Sequence, residues 1–403
     1  MASPQLRFKE FNSPLIQDKL VNVTAWSSGG TPSKDNEAYW DGDIPLISGA
    51  SMHTNKLYES DVKITKLGLQ KGSKLAPKDS ILILVRGSML FNKIPMGITL
   101  GDVAFNQDVK CIQPKENLTS DFLFQSLSAK ENVIQNKVTS TGIGAGKLDT
   151  PDLQNLVISL PSKEEQTKIA SFLSKVDEKI SQLTQKHELL SQYKQGMMQK
   201  LFSQQIRFKA DDGSEFGEWE ETTLGQTGKF IGGGTPSKEN NEFWQGSIPW
   251  ISSSDLVEES IFKINISRFI SENALNQSAT KLVPANSILI VSRVGVGKVA
   301  ITPHEICTSQ DFTSLALTDG NSIFFAYLIK SLTPYLLEMN QGTSIKGFVK
   351  EDLSNLEIQV PCQEEQTKIA NFLSAIDQKI EVVTQQIEQA KQWKKGLLQQ
   401  MFV

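Results

Sequence analysis

The sequence predicts an α+β protein. It comprises two mixed α/β domains, each followed by one long helix, with the helices paired as an antiparallel coiled coil in pseudo-twofold relation. Three observations carry this expectation. An ordered set of motifs occurs twice, at an offset that settles at 200 residues. Each copy holds apolar runs of strand length bounded by turn-formers. Each copy also ends in a long polar segment whose apolar positions recur at steps of three and four. The expected boundaries are a first domain over 1–160, a first helix over 161–204, a second domain over 205–360 and a second helix over 361–403.

A chain of 403 residues exceeds what one core ordinarily organises, so two domains fit its length. Its 39% hydrophobic and 21% charged content is globular rather than disordered or membrane-spanning. No segment has transmembrane length, and residues 1–9 lack the apolar run of a signal peptide. Cys111, Cys307 and Cys362 are odd in number, far apart and form no C-x-x-C. That pattern points to a reducing cytoplasm and away from structural zinc or a disulfide framework. The formal net charge of -4 argues against tight DNA binding by the chain alone. A nucleic-acid role then needs cations gathered on one surface or supplied by partners.

The repeat is ordered from end to end. Arg7-Phe8-Lys9 recurs as Arg207-Phe208-Lys209, and G-G-T-P-S-K occupies both 29–34 and 233–238. W-x-G-x-I-P follows from Trp40 and from Trp244, with Ser48 matching Ser252. Asp79-Ser-Ile-Leu-Ile leading to Arg86 pairs with Asn286-Ser-Ile-Leu-Ile leading to Arg293, which predicts strands over 80–86 and 287–293. Gln107-Asp108 pairs with Gln310-Asp311. The tracts 29–33 and 140–146 are expected as loops. One helix per domain is expected, over 121–135 and over 322–339, the latter with Pro334 inside it. Asp152-Leu-x-Asn-Leu156 then pairs with Asp352-Leu-x-Asn-Leu356.

The long segments match best. Glu164-Glu-Gln-Thr-Lys-Ile-Ala170 recurs letter for letter at 364–370, behind Pro161 and Pro361. Two glutamates in a first helical turn complement the helix dipole. The first apolar seam runs Ile169, Phe172, Val176, Ile180, Leu183, His187, Leu190, Met197 and Leu201. The second runs Ile369, Phe372, Ile376, Ile380, Val383, Ile387, Ala390, Leu397 and Met401. Such stripes cannot bury themselves alone, so the helices should pair. About 38 residues make a rod of about 57 Å. Gly196 and Gly396 are expected to weaken the last turns.

For chemistry, G-G-T-P-S-K offers free N–H groups in a flexible turn. It adds the hydroxyls of Thr31, Ser33, Thr235 and Ser237 and the amines of Lys34 and Lys238. These suit phosphate contact, and a purely structural loop is the competing reading. Arg86 and Arg293, each ending a strand, suit a guanine edge or a phosphate, against a surface ion pair. Ser48, Ser252, Gln107, Gln310, Lys147, Lys298 and Lys346 complete the candidate contacts. Neither Gly142–Lys147 nor Gly295–Lys298 has the flanking strand and helix of a nucleotide-binding loop. Trp40 and Trp244 either stack on bases or belong to the core. Catalysis finds no support, since His53, His187 and His304 occupy unmatched positions. No nucleophile–base set, metal motif or Asn-Pro-Pro-aromatic sequence accompanies them.

Variable domains alternating with repeated helices, G-G-T-P-S near each domain start and P-x-x-E-E-Q-x-K-I-A opening each helix together resemble the specificity subunit of type I restriction–modification enzymes. The resemblance covers essentially the whole chain. It implies two target-recognition domains, each reading half of a split double-stranded DNA sequence, and a helical spacer that sets their separation. It also implies a non-catalytic subunit that recruits two modification (methyltransferase) subunits and, in the full complex, restriction (motor and nuclease) subunits. S-adenosylmethionine, ATP and Mg are then expected in those partners, and no cofactor or metal in this chain. A scaffold with no DNA role and an enzyme with a repeated catalytic domain are the alternatives.

Overall fold

The computed structural model describes residues 4–142, 144–339 and 347–402. Contacts divide the chain into two compact units, one of 1–184 with 386–403 and one of 185–385. Each unit thus holds one globular part and a portion of both long helices.

In the first unit a five-stranded sheet runs in the order Thr24–Ser28, Val109–Pro114, Ile81–Leu84, Met96–Thr99, Lys56–Leu57, antiparallel except for the last pair. Ile81–Leu84 is buried at every position, so it reads as a continuous apolar run rather than an alternating one. A four-stranded sheet has the order Lys63–Ile64, Trp40–Ile47, Val103–Phe105, Lys74–Ala76, with Trp40–Ile47 and Val103–Phe105 parallel. The expected loop over 140–146 is partly strand, because Thr139 pairs with Lys147 and Ser140 with Gly146. The helix expected over 121–135 is two, Ser120–Ala129 and Glu131–Gln135. Lys130 leaves helical geometry between them, and Glu131 instead accepts the Ile94 N–H at 2.9 Å.

The second unit repeats the plan. Gly228–Gly232, Thr313–Leu317, Ile288–Ile290 and Val299–Ile301 form one sheet. Arg268–Ile270, Ile248–Ile251, Ile306–Thr308 and Leu282–Val283 form the other, again with one parallel pair. Ser322–Met339 is helical as expected, Pro334 included.

The repeated turns have a shared physical cause. Asp79 and Asn286 sit at φ 64 and 61, a left-handed conformation that Asn and Asp tolerate better than other side chains. Thr99 and Thr302 then clamp the turns. Each hydroxyl donates to a proline carbonyl, Pro77 or Pro284, and accepts the N–H of Ser80 or Ser287.

The long helices span Lys163–Phe202 and Gln363–Met401 and run unbroken past Gly196 and Gly396. P-x-x-E-E-Q-x-K-I-A fastens each helix to its own domain. Glu165 and Glu365, both buried, receive two-pronged hydrogen bonds from Arg7 and Arg207. Gln166 donates to the carbonyls of Pro161 and Asn117 and accepts the Thr119 N–H. Gln366 donates to Pro361 and accepts Asn321. Phe8 and Phe208 pack on Phe172 and Phe372 at ring distances of 5.8 and 5.6 Å.

Within each unit the helix portions run antiparallel. In the first, Glu165 and Ile169 border Met401 and Phe402, whereas Lys179 and Leu183 border Ala390 and Trp393. In the second, Met198 and Leu201 share a core with Ile369, Leu373 and Ile376. The seam differs from expectation in detail. Leu173 and Leu373 are fully buried, while Phe172, Phe372, Ile180 and Ile380 flank the cores half-buried. Met198 rather than Met197 is buried, and Leu190 is only half-buried. A strict every-third-or-fourth reading chooses one of two adjacent apolar residues, and the globular domain beside the helix decides which faces inward.

Candidate nucleic-acid interface

Five of the first domain's candidates come together at one edge. The Ile47 carbonyl accepts the Asn106 N–H at 3.0 Å, placing Ser48 beside the turn that carries Gln107. The Phe105 carbonyl accepts Gly30 N–H at 3.0 Å, and Thr31 Oγ1 donates to Gln107 Oε1 at 2.7 Å. Val85 N–H donates to the Asp108 carbonyl and its own carbonyl accepts Leu148 N–H, so Arg86 and Lys147 join the same edge. Thr31, Ser48, Arg86, Gln107 and Lys147 lie far apart in sequence and meet only through these bonds.

The second domain builds the same edge. Ser309 N–H donates to Ile251, Gly234 N–H to Thr308 and Ser292 N–H to Asp311, at 2.8 to 2.9 Å. Thr235 donates to Gln310 as Thr31 does to Gln107. Thr235, Ser252, Arg293 and Gln310 are therefore neighbours. Phe348 N–H donates to the Ser292 carbonyl at 3.0 Å. Lys346 lies outside the described residues.

The G-G-T-P-S-K loop is not the flexible turn expected. A Cβ on Gly29 would lie 2.1 Å from the Phe105 carbonyl oxygen, and one on Gly233 would lie 1.9 Å from that of Ser309. Glycine is required there because backbone meets backbone. Trp40 and Trp244 pin the far side, their indole N–H groups donating to the carbonyls of Ser33 and Ser237 at 3.0 and 3.1 Å. Both indoles are half-buried against small apolar clusters, which answers the base-stacking alternative with a structural role. Ser33, Lys34, Ser237 and Lys238 remain exposed at the loop tips.

The cations differ in availability. Arg86 and Arg293 are exposed, and neither guanidinium donates a hydrogen bond or makes an ion pair among the described residues. Lys147 is paired with Asp149 at 2.7 Å. Lys298 is spent internally, its amine donating to the carbonyls of Ser253 and Leu256 at 3.3 and 3.0 Å, so it is an anchor rather than a free contact. Ser252 is engaged with Asp255 and Arg268.

Arg268 lies over the Trp250 ring at 4.6 Å, in ion contact with Asp255 beside the same edge. Matching the repeats cannot find it. In strand register Trp250 faces Arg268, where the first domain sets Leu46 against Val62. Among the described residues no cluster of His, Cys, Asp and Glu suits a metal ion, and no helix is long and apolar enough to cross a membrane.

Comparison with known proteins shows which family and fold the chain shares. A family profile described as "Type I restriction modification DNA specificity domain" matches residues 18–192 and again 217–392. A putative type I restriction enzyme specificity subunit of Methanocaldococcus jannaschii, MjaX, is 27% identical over 84% of this chain and 83% of its own length. The EcoR124I/EcoR124II specificity subunit of Escherichia coli is 30% identical over 41% of this chain and 42% of its own. The crystal structure of a type I restriction–modification S subunit from M. genitalium shares the fold, with a TM-score of 0.62 and 17% identity over 100% of this chain and 99% of that one.

Proposed function

The chain belongs to the type I restriction–modification DNA specificity family, as a non-catalytic DNA-recognition subunit, and from that membership we propose how its parts divide the work. Each globular domain reads one half of a split duplex target through the edge built from Thr31, Ser48, Arg86, Gln107 and Lys147, or from Thr235, Ser252, Arg293 and Gln310. The carrying observation is the recurrence of one edge in two domains of otherwise divergent sequence, with an exposed arginine, unpaired among the described residues, at the same place in each. Hydroxyls, amide side chains and a guanidinium are the groups that contact phosphates and base edges.

The long helices act as the spacer, so the middle of the target goes unread. They also dock two modification subunits, which hold S-adenosylmethionine and methylate adenine. Restriction subunits use ATP and Mg to cleave. The acidic net charge fits recognition in which partners add cationic contacts around the DNA. Replacing residues 1–160 by another such domain tests the division of labour, read as methylated positions in DNA exposed to the reassembled complex. One half of the target should change and the other persist; a change in both halves contradicts the scheme.

A further inference from the structure

The edge of the second domain carries a feature that the first lacks. Between Ile288–Ile290 and Val299–Ile301 the chain runs Val291-Ser-Arg-Val-Gly-Val-Gly-Lys298. Val294 at its tip is 70% exposed, more than any other large hydrophobic among the described residues. Isolated exposed valines are ordinary on a protein surface. This one sits beside the exposed Arg293, on the edge that also holds Gln310 and Thr235.

The turn is closed at its base. Val291 N–H donates to Lys298 at 2.9 Å and Gly297 N–H to Val291 at 3.2 Å, closing the turn on itself. Gly295 and Gly297 take φ 83 and 96, a region open chiefly to glycine. A Cβ at Gly297 would lie 2.4 Å from Thr333 Cγ2, so the turn is seated on the Ser322–Met339 helix. The Lys298 amine ties its base to the segment of Ser253 and Leu256. In the first domain Arg86 is followed instead by Gly87 and a short helix over Ser88–Phe91.

We propose that Val294 is a specificity-determining residue of the second domain, covering the C5-methyl group of one thymine in the major groove while Arg293 anchors the tip on an adjacent phosphate. The thymine methyl is the one apolar group that the major-groove edges present. An apolar tip on a turn closed at its base loses less entropy in covering it than one on an open loop. The proposal rests on the reading of this edge as the DNA-facing surface.

The test uses the chain assembled with its modification subunits, on a target located from the positions it methylates. Each thymine of the second domain's half-site is replaced in turn by deoxyuridine, which removes only the methyl group. At one position binding should weaken about three- to fivefold, as expected for uncovering one methyl group. Val294→Ala should bind the thymine and deoxyuridine duplexes alike there, with the other half-site unaffected. A half-site with no thymine, or one in which no substitution shows a loss that depends on Val294, overturns the proposal while leaving recognition by this edge intact. If Arg86→Ala and Arg293→Ala both leave target binding unchanged, the edge does not face DNA and the premise itself fails.

Discussion

Lys194 on the first long helix meets Asp377 on the second at 2.5 Å, and the corresponding positions with roles exchanged, Lys394 and Asp177, meet at 2.6 Å in the other unit. Each carboxylate has a second donor from its globular domain, Tyr327 for Asp377 and Gln125 for Asp177. One charged pair per unit thus joins both helices and the domain. The two differ in burial. Side-chain exposure is 9 and 10% for Lys194 and Asp377, against 17 and 24% for Lys394 and Asp177.

That difference sets an unequal response to the same substitution. Lys194→Met leaves a buried carboxylate without its cation and should cost about 3 kcal/mol. Lys394→Met, nearer solvent, should cost about 1 kcal/mol. Denaturant unfolding of both variants measures this, and adding Asp377→Asn to Lys194→Met should restore part of the loss. Equal, small losses would show that burial does not govern the pairs.

The left-handed turns make a second case. Val at Asp79 or Asn286 brings a branched Cβ into a conformation that costs about 1–2 kcal/mol. Glycine at either position should be tolerated. Thermal unfolding distinguishes them, and a valine variant as stable as the glycine variant would mean that the turn relaxes elsewhere.

The cysteines supply a pH-dependent prediction. Cys111 and Cys307 are buried and Cys362 is exposed, so iodoacetamide at pH 8 should label Cys362 alone in the folded chain. Burial pushes the Cys307 thiol from 9.0 up to about 11. The folded chain keeps that proton where the unfolded chain loses it, so the associated stability is present below pH 9 and lost as pH rises towards 11. The stability difference between the parent and Cys307→Ala should be flat below pH 9 and shrink above it. A difference that stays constant to pH 11 would show that the thiol is not buried.

How much was legible differs between helix and domain. The helices were readable because period, first-turn glutamates and terminal prolines are local signals. The choice of Leu173 over Phe172 as the inward residue was not, since it depends on the neighbouring domain. At the edge, repetition picked out Thr31, Gln107 and Arg86, whereas Lys298, a candidate with no counterpart in the first domain, has its amine occupied. It passed over Arg268 and Val294 because neither has a counterpart in the first domain. Matching finds what two copies share, and recognition of dissimilar half-sites needs what they do not.

By itself the sequence determined the duplication, the α+β class, the two long helices and the motifs that recur. These are set by local periodicity and by order along one chain. Only the tertiary structure decided that Thr31 and Gln107, and likewise Thr235 and Gln310, are partners, that Arg86 and Arg293 are exposed, and that P-x-x-E-E-Q-x-K-I-A fastens each helix to its domain. Whether a polar side chain is spent inside the fold or offered to a ligand depends on partners more than seventy residues away. Sheet pairing and burial settle that.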